Sequence, residues 1–410
     1  MQILVLNPGG NSLKAEIVSC EPDQTFASAG ETRLSVAIEG IGSSPELSLM
    51  DDKRIVSKQK IKAEDYGDAA ESLLRWYEEQ KPDGAPALDD VDCIALRVVH
   101  GGDRFDNPVE IDEEVRSAIE DLEKLAPLHN KSSVEVLAPL RRHLACHPVY
   151  AVFDNAFHRT MPEHAALYGI PLDLARKHGI RRYGFHGISH RYLLERYAEL
   201  AKKDPADCSI VSMHLESGCS VTAVRNGRSI DNTMGLTPLE GLMMGTRSGD
   251  VDPELVALLM REEKMSIDDV MNLLNKESGL KGVSQVSLDT RVLMKQMDKP
   301  QVKLAMEIFS YRVRKAVGAA LAAVGDTEAV VFGGGIVENT GYVRKHICDG
   351  IRGFGLEMDE AANETIIDKE GLLSTEDSRV AGWVIPTEEA KQMAHEVALL
   401  HRNDRPYQDR

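Results

Sequence analysis

The chain has 410 residues, enough for two or three domains of about 100–200 residues each. Its 48 Lys and Arg face 66 Asp and Glu, so the net charge is −18; with 42% hydrophobic and 28% charged residues, the composition excludes disorder, collagen and coiled coil for the whole chain, and the acidity argues against nucleic-acid or membrane-surface partners. No apolar run approaches the ~18 residues of a membrane span, MQILVLNPGG lacks the basic start of a signal peptide, and six scattered Cys without a C-x-x-C pair read as reduced thiols of a cytoplasmic protein.

Residues 2–6 form an apolar run of strand length, NPGGNS is a dense turn, and LKAEIVS alternates as a second strand. CIALRVV (93–99) and VYAVF (149–153) are apolar strands apart from Arg97, and each runs into a polar turn, HGGDRF and DNAFH. Residues 112–125 read as an amphipathic helix with Val115, Ile119, Leu122 and Leu125 along one stripe. Residues 190–203 read as another helix. SIVSMHL, ESGCS and VTAVRNG then repeat the opening strand, turn and strand. Setting LNPGGNSLKA against LESGCSVTA places Gly10 over Gly218 and Ser12 over Ser220 at a constant spacing of 208. A unit of this kind at the start of each half predicts a duplicated α/β architecture. AVVFGGGIVENTG (329–341) is a strand, a Gly triplet and a helix, and 388–400 is a closing helix.

The P-loop, G-x-G-x-x-G, H-E-x-x-H and G-x-S-x-G patterns are absent. What remains is three Gly/Ser/Asn turns after apolar strands. Such turns present backbone N–H groups and short hydroxyls suited to phosphate oxygens, although any one alone reads as an ordinary turn. Arg97 lies inside an apolar run, where its charge requires a partner or a site. Arg247 sits in the Gly-rich MMGTRSGD; two guanidiniums could bracket a carboxylate and a migrating phosphoryl group. His186 and His190 are four apart, but no third ligand accompanies them, so an imidazole donating to phosphoryl oxygens fits better than a metal pair. Asp154 follows a strand end, where α/β proteins place catalytic carboxylates.

Together RVVHGG (97–102), APLHN (126–130), VFDNAFHRTMPE (152–163), RRYGFHGISHRYL (181–193), MGLTPLEGLMMGTRSGDVDP (234–253), GGGIVEN and VIPTEEA (384–390) resemble the acetate kinase family, in order and in spacing, over nearly the whole chain. The resemblance implies an α/β, duplicated actin-like or sugar-kinase-like (RNase H-like) two-domain ATPase fold with an interdomain active-site cleft. It implies an N-terminal domain over 1–154, completed by a C-terminal helix over 387–410, and a nucleotide-binding domain over 155–386. It implies reversible phosphoryl transfer from ATP to acetate, giving acetyl phosphate and ADP, in a cytoplasmic homodimer using Mg2+, with Mn2+ as the alternative ion.

Carried over by position, the resemblance makes Asp154, Arg97, His186, Arg247 and His129 the catalytic set. Arg97 and Arg247 grip the acyl carboxylate and the migrating phosphoryl group, and His186 stabilises the transition state. Asn7 and Glu389 lie near the metal. Ser12, Lys14, His214, Ser217 and Gly218 meet the phosphates. Asp289, Thr290, Arg291, Gly335, Ile336 and Asn339 reach the adenosine, and Arg97, Val99, Leu128, Phe185 and Pro238 line the acyl pocket. The departures fall mostly on the nucleotide side. Ser217 stands where the family has Asn, Glu216 where it has Gly, and Val337 where Gly is usual. They keep two alternatives open. One is the same chemistry with pyrophosphate, another nucleotide or a longer acyl acceptor such as propionate or butyrate. The other is a non-catalytic acyl-phosphate or nucleotide sensor.

Overall fold

The computed structural model describes residues 1–21, 30–51, 54–80, 82, 84–124 and 130–404. The chain divides into two compact units, Met1–Ala156 with Glu388–Arg410, and Phe157–Thr387.

The first unit is built on β1 (Gln2–Pro8), β2 (Ser12–Ser19), β3 (Glu31–Glu39), β4 (Glu46–Asp51), β5 (Arg54–Lys60), β6 (Cys93–Val98), β7 (Val109–Glu110) and β8 (Val149–Phe153). They form one sheet in the order β5-β4-β3-β2-β1-β6-β8-β7. Ile3, Leu4, Val5 and Leu6 of β1 are all buried, as a continuous apolar run in a central strand must be. Helices Tyr66–Gln80 and Asn130–His143 share a core with the sheet, where Leu73, Leu74 and Leu140 join Leu4, Leu13 and Ile17. Helix Glu389–Asp404 returns to this unit and packs on β1, with Met393, Ala394, Val397 and Ala398 fully buried at helical spacing. The outer strand β5 is exposed along its whole length and carries Arg54, Lys58 and Lys60, charges that discourage pairing with another chain.

The second unit is built on β9 (Ile210–Leu215), β10 (Cys219–Arg225), β11 (Arg228–Asn232), β12 (Ala329–Gly333), β13 (Gly371–Leu372) and β14 (Ala381–Val384), in the order β11-β10-β9-β12-β14-β13. The pairing sense repeats that of β3-β2-β1-β6-β8-β7 strand for strand. Both open with an antiparallel hairpin, extend outward from its first strand by two successive parallel strands, and close on a short antiparallel edge. The duplication expected from the sequence is therefore present. The constant spacing of 208 is not. Leu6 pairs with Ala15, whereas His214, 208 positions later, pairs with Ser220, 205 positions after Ala15. The second hairpin turns three residues sooner, so the matched Gly and Ser positions are not register equivalents.

Local boundaries differ from the sequence reading for identifiable reasons. The helix expected over 112–125 is Glu113–Asp121, capped by Asp112, whose carboxylate accepts from Val115 N; a tighter turn, Leu122–Lys124, ends it. Leu125 lies outside the described residues. The helix expected from 190 begins earlier, Gly187–Ala201, because left-handed His186 starts it, and left-handed Lys202 ends it. The helix after the Gly triplet is two, Gly335–Asn339 and Gly341–Ile351, separated by extended Thr340. No helix among the described residues is long and apolar enough to cross a membrane.

Candidate active site

In the first unit, three neighbouring parallel strands each carry a polar residue at or beside the C-terminal end: Asn7 on β1, Arg97 on β6, and Asp154 just after β8. Strand ends of this kind are where an α/β sheet leaves side chains free to face a ligand. Arg97 reaches both neighbours. Its Nη2 donates to Asp154 Oδ2 at 2.8 Å and its Nη1 to Asn7 Oδ1 at 2.9 Å. Asn7 Nδ2 in turn donates to Glu389 Oε2 at 3.0 Å, and Glu389 is the first residue of its helix, where a carboxylate is favoured by the helix dipole. The side chain of Arg97 is 13% exposed and that of Asp154 1%. The ion pair is therefore mostly withdrawn from water, and either charge left alone would be costly.

Val99, two residues beyond Arg97, is buried. The first Gly turn is closed by Gly9 N donating to Ser12 O at 2.7 Å and pinned by Tyr66, whose hydroxyl donates to Gly9 O. Ser12 at its edge is half-buried, and Lys14, opposite Asn7 in register, is exposed.

Metal fit follows from the donor types. Among the described residues no cluster of three or more His, Cys, Asp or Glu gathers as a metal cage. Asp154 and Glu389 instead offer two carboxylates, linked through Arg97 and the amide of Asn7. That fits Mg2+, which usually takes one or two carboxylates together with substrate phosphates and water.

In the second unit, His186 holds φ 59° and ψ 29°, a left-handed conformation uncommon for a residue with a side chain. Its Nδ1 meets Ser220 Oγ at 2.9 Å, and its ring lies 4.5 Å from that of His214. The turn 216–218 between β9 and β10 brings Gly218 beneath it. A Cβ on Gly218 would stand 2.9 Å from His186 Nε2 and 3.5 Å from Arg247 Nη1. Only glycine lets the imidazole and the guanidinium both approach this point.

Arg247 Nη1 donates to Pro238 O at 3.3 Å. Gly279, at φ +66°, backs the Arg247 loop so closely that a Cβ would lie 2.2 Å from Met244 O. The loop carrying Pro238 is held by a clasp that sequence reading missed. Arg182 Nη2 donates to Glu240 at 2.6 Å, Tyr168 donates its hydroxyl to the same carboxylate, and Leu236 N donates to Tyr168 Oη. Phe185 is fully buried, and its carbonyl accepts from His158 Nε2 and Asn232 Nδ2. Burial pushes His158 down to about 4, so this ring is a neutral structural strut.

The nucleotide-side positions lie apart along the second unit. Asp289 caps the helix Thr290–Met294 and forms a bidentate pair with exposed Arg291, while Thr290 is buried. Gly335 and Ile336 open the helix Gly335–Asn339, and exposed Asn339 donates back to Gly335 O. Two buried residues behind this loop were missed. Glu338 accepts from Gly334 N and Thr387 N. Fully buried Arg344 donates to the carbonyls of Val337, Glu338, Asn363 and Ile366 and to the Asn363 side chain.

Val337, one of the departures on the nucleotide side, is fully buried. Glu216 and Ser217 are both exposed on their turn, and Glu216 Oε2 lies 3.8 Å from His214 Nε2.

The structure thus brings Asn7, Arg97, Asp154 and Glu389 together in one unit, and His186, His214, Gly218 and Arg247 together in the other. His129 and Leu128 lie outside the described residues. Ser220 and His190, joined to His186 by hydrogen bonds, were visible in the sequence only as one half of a repeat and as a weak metal pair.

The chain is similar to known proteins over nearly their whole length. The Acetokinase family model matches residues 2–395. The acetate kinase of Chloroherpeton thalassium is 40% identical over 408 residues, spanning 97% of this chain and 98% of that protein. Among solved structures, acetate kinase from Porphyromonas gingivalis superposes with a TM-score of 0.88 at 36% identity, covering 97% of this chain and 99% of that one. A propionate kinase from Francisella tularensis superposes with a TM-score of 0.87 at 35% identity, covering 96% and 98%. A family match over almost every residue, on a two-sheet α/β chain with the same course as solved members, makes this protein a member of the acetokinase family.

Proposed function

We propose that the protein is an acetate kinase, catalysing reversible Mg2+-dependent phosphoryl transfer from ATP to acetate by direct in-line displacement, with acetyl phosphate and ADP as products. The observation that carries this reading is the Asn7–Arg97–Asp154 row, with buried Val99 beside it. It is a cation held from both sides next to an apolar residue, the chemistry that receives a short carboxylate.

A carboxylate is already ionised at pH 7, so the reaction needs no strong general base. What it needs is positive charge to bring two anions together, and donors for the charge on the migrating phosphoryl group. In this reading Arg97 takes the acetate carboxylate, and Asp154 orients Arg97 rather than removing a proton. Arg247, His186 and His129 serve the phosphoryl group. Val99, Leu128, Phe185 and Pro238 bound the methyl group. Asp154, Asn7 and Glu389 would hold Mg2+, whose charge would neutralise the phosphates. Ser12, Lys14, His214, Ser217 and Gly218 meet the polyphosphate, and Asp289, Thr290, Arg291, Gly335, Ile336 and Asn339 the adenosine. The reading includes a homodimer in the cytoplasm; six free thiols support a reducing compartment.

Likeness to a propionate kinase favours a second acceptor, since a pocket built on apolar contacts discriminates one methylene by only ~1–3 kcal/mol. Propionate is expected to be a slower but real substrate. A hydroxamate assay with acetate or propionate and Mg2+, run with ATP, GTP and pyrophosphate in parallel, tests the reading. Acetyl hydroxamate formed with ATP supports it. Product with pyrophosphate alone would replace the donor, and no product with any donor would leave a sensor.

A further inference from the structure

Behind His186 runs a buried chain of alternating imidazoles and hydroxyls. His186 Nδ1 meets Ser220 Oγ at 2.9 Å, Ser220 Oγ meets His190 Nε2 at 2.7 Å, and His190 Nδ1 meets Ser212 Oγ at 2.8 Å. Ser220, His190 and Ser212 are wholly inaccessible to solvent.

We propose that Ser220 is a positioning residue that fixes the tautomer of His186, so that the neutral imidazole carries its proton on Nε2, the nitrogen poised over Gly218 beside Arg247. The inference rests on the reading in which His186 donates to the migrating phosphoryl group.

The argument is one of proton counting. Burial holds the His190 pKa well below its ordinary value, so the ring is neutral and has a single N–H. The hydroxyl of Ser220, between two imidazoles, can donate to one and accept from the other. Two orders satisfy that condition. In the first, Ser212 donates to His190 Nδ1, His190 Nε2–H donates to Ser220, and Ser220 donates to His186 Nδ1. In the second every bond is reversed, and His186 carries its proton on Nδ1.

Ser212 decides between them. Among the described residues its hydroxyl meets only His190 Nδ1. In the reversed order that nitrogen would itself donate, stranding the proton of a fully buried Ser212, at a real desolvation cost. The first order leaves every member satisfied. It leaves Nε2–H as the outward donor of His186, 2.9 Å from where a Gly218 Cβ would be.

Among the described residues, the groups facing His186 include the His214 ring at 4.5 Å, with Glu216 behind it, and Arg247 across Gly218.

In the Ser220→Ala variant nothing at position 220 selects the tautomer of His186. The expected result is a kcat loss of about 2- to 10-fold, the inverse of the fraction left with its proton on Nε2, and an unchanged KM for acetate. Ser220→Thr, which keeps the hydroxyl, should restore the wild-type kcat. Equal losses in Ser220→Ala and Ser220→Thr would overturn the proposal and leave the acetate kinase reading standing.

A second measurement needs neither variant nor turnover. In the unsubstituted protein with 15N-labelled histidine, long-range 15N–1H NMR correlations report which ring nitrogen of His186 bears the proton. Nε2–H is expected, and Nδ1–H would overturn the proposal. That readout stands even if no phosphoryl donor gives product.

Discussion

Arg97 is mostly withdrawn from water and shared between Asp154 and Asn7, while Arg247 and His186 converge over Gly218. Removing any of the three donors, as Arg97→Ala, Arg247→Ala or His186→Ala, should lower kcat/KM by at least about 100-fold, with the folded circular dichroism spectrum retained. His186→Gly should lose as much activity as His186→Ala but be the more stable of the two, because glycine has no penalty at φ 59°. Thermal melts of both variants check this. Gly218→Ala tests the geometry from the other side. Its methyl group would push the imidazole off a point that it now approaches to 2.9 Å, and kcat should fall by about 100-fold while Tm changes little. Unchanged kcat would mean the reacting phosphoryl group does not sit over Gly218.

At the scale of elements, the β9–β10 turn and the loop opening at Gly334 carry the departures from the family pattern. Glu216 and Ser217 are exposed, so exchanging them for the family's residues changes what a phosphate meets without disturbing the core. Glu216→Gly with Ser217→Asn is expected to lower the apparent KM for ATP in steady-state assays. Arg344 is a different kind of residue. With five partners and no carboxylate among them, it is a peg that fastens the helix Gly335–Asn339 to the segment at 363–366. Arg344→Met would strand those carbonyls and is expected to destabilise the second unit by about 3 kcal/mol or more, read as a lower urea midpoint of Trp383 fluorescence. Lysine should not rescue it, since one ammonium cannot reproduce the planar fork.

These elements also mark how far the sequence could be read. β1, β6 and β8 were legible because an unbroken apolar run ending in Asn, Arg or Asp is a buried strand delivering a polar tip. The two-residue edges β7 and β13 were not, because no periodicity exists at that length. The site was legible where the family resemblance supplied a residue-by-residue pattern. The Ser212–His190–Ser220 chain, the Glu240 clasp and Arg344 were not legible, because each joins separate elements through side-chain contacts with no local signature. The repeat was legible as an architecture but not as a register, since spacing alone cannot show that a hairpin has turned three residues early.

For the molecule as a whole, buried neutral histidines set the response to acid. Burial pushes His100 and His158 down to about 4 and holds His190 well below its ordinary value. Below the ordinary histidine value of about 6.5, the unfolded chain binds protons that the folded chain refuses, so stability must fall as pH drops from there toward 4. His100→Asn should keep the acceptor that Gly102 N now finds at His100 Nδ1 while removing the titration. In a Trp383→Phe background, Trp76 alone reports the first unit. There, the number of protons taken up on unfolding between pH 4 and 6.5 should drop by about one. An unchanged slope would mean that His100 is already protonated in the folded protein.

The return of the helix Glu389–Asp404 to the first unit has a consequence for biosynthesis. Chains are made from the N-terminus, and domains fold largely as they emerge. The second unit is continuous from Phe157 to Thr387 and can close as soon as it leaves the ribosome. The first unit, although synthesised earlier, must wait with the side of β1 that receives this helix uncovered until more than 200 further residues have been added. The half of the enzyme that is made first is thus the half that is finished last, and it is the half that a chaperone would have to shield.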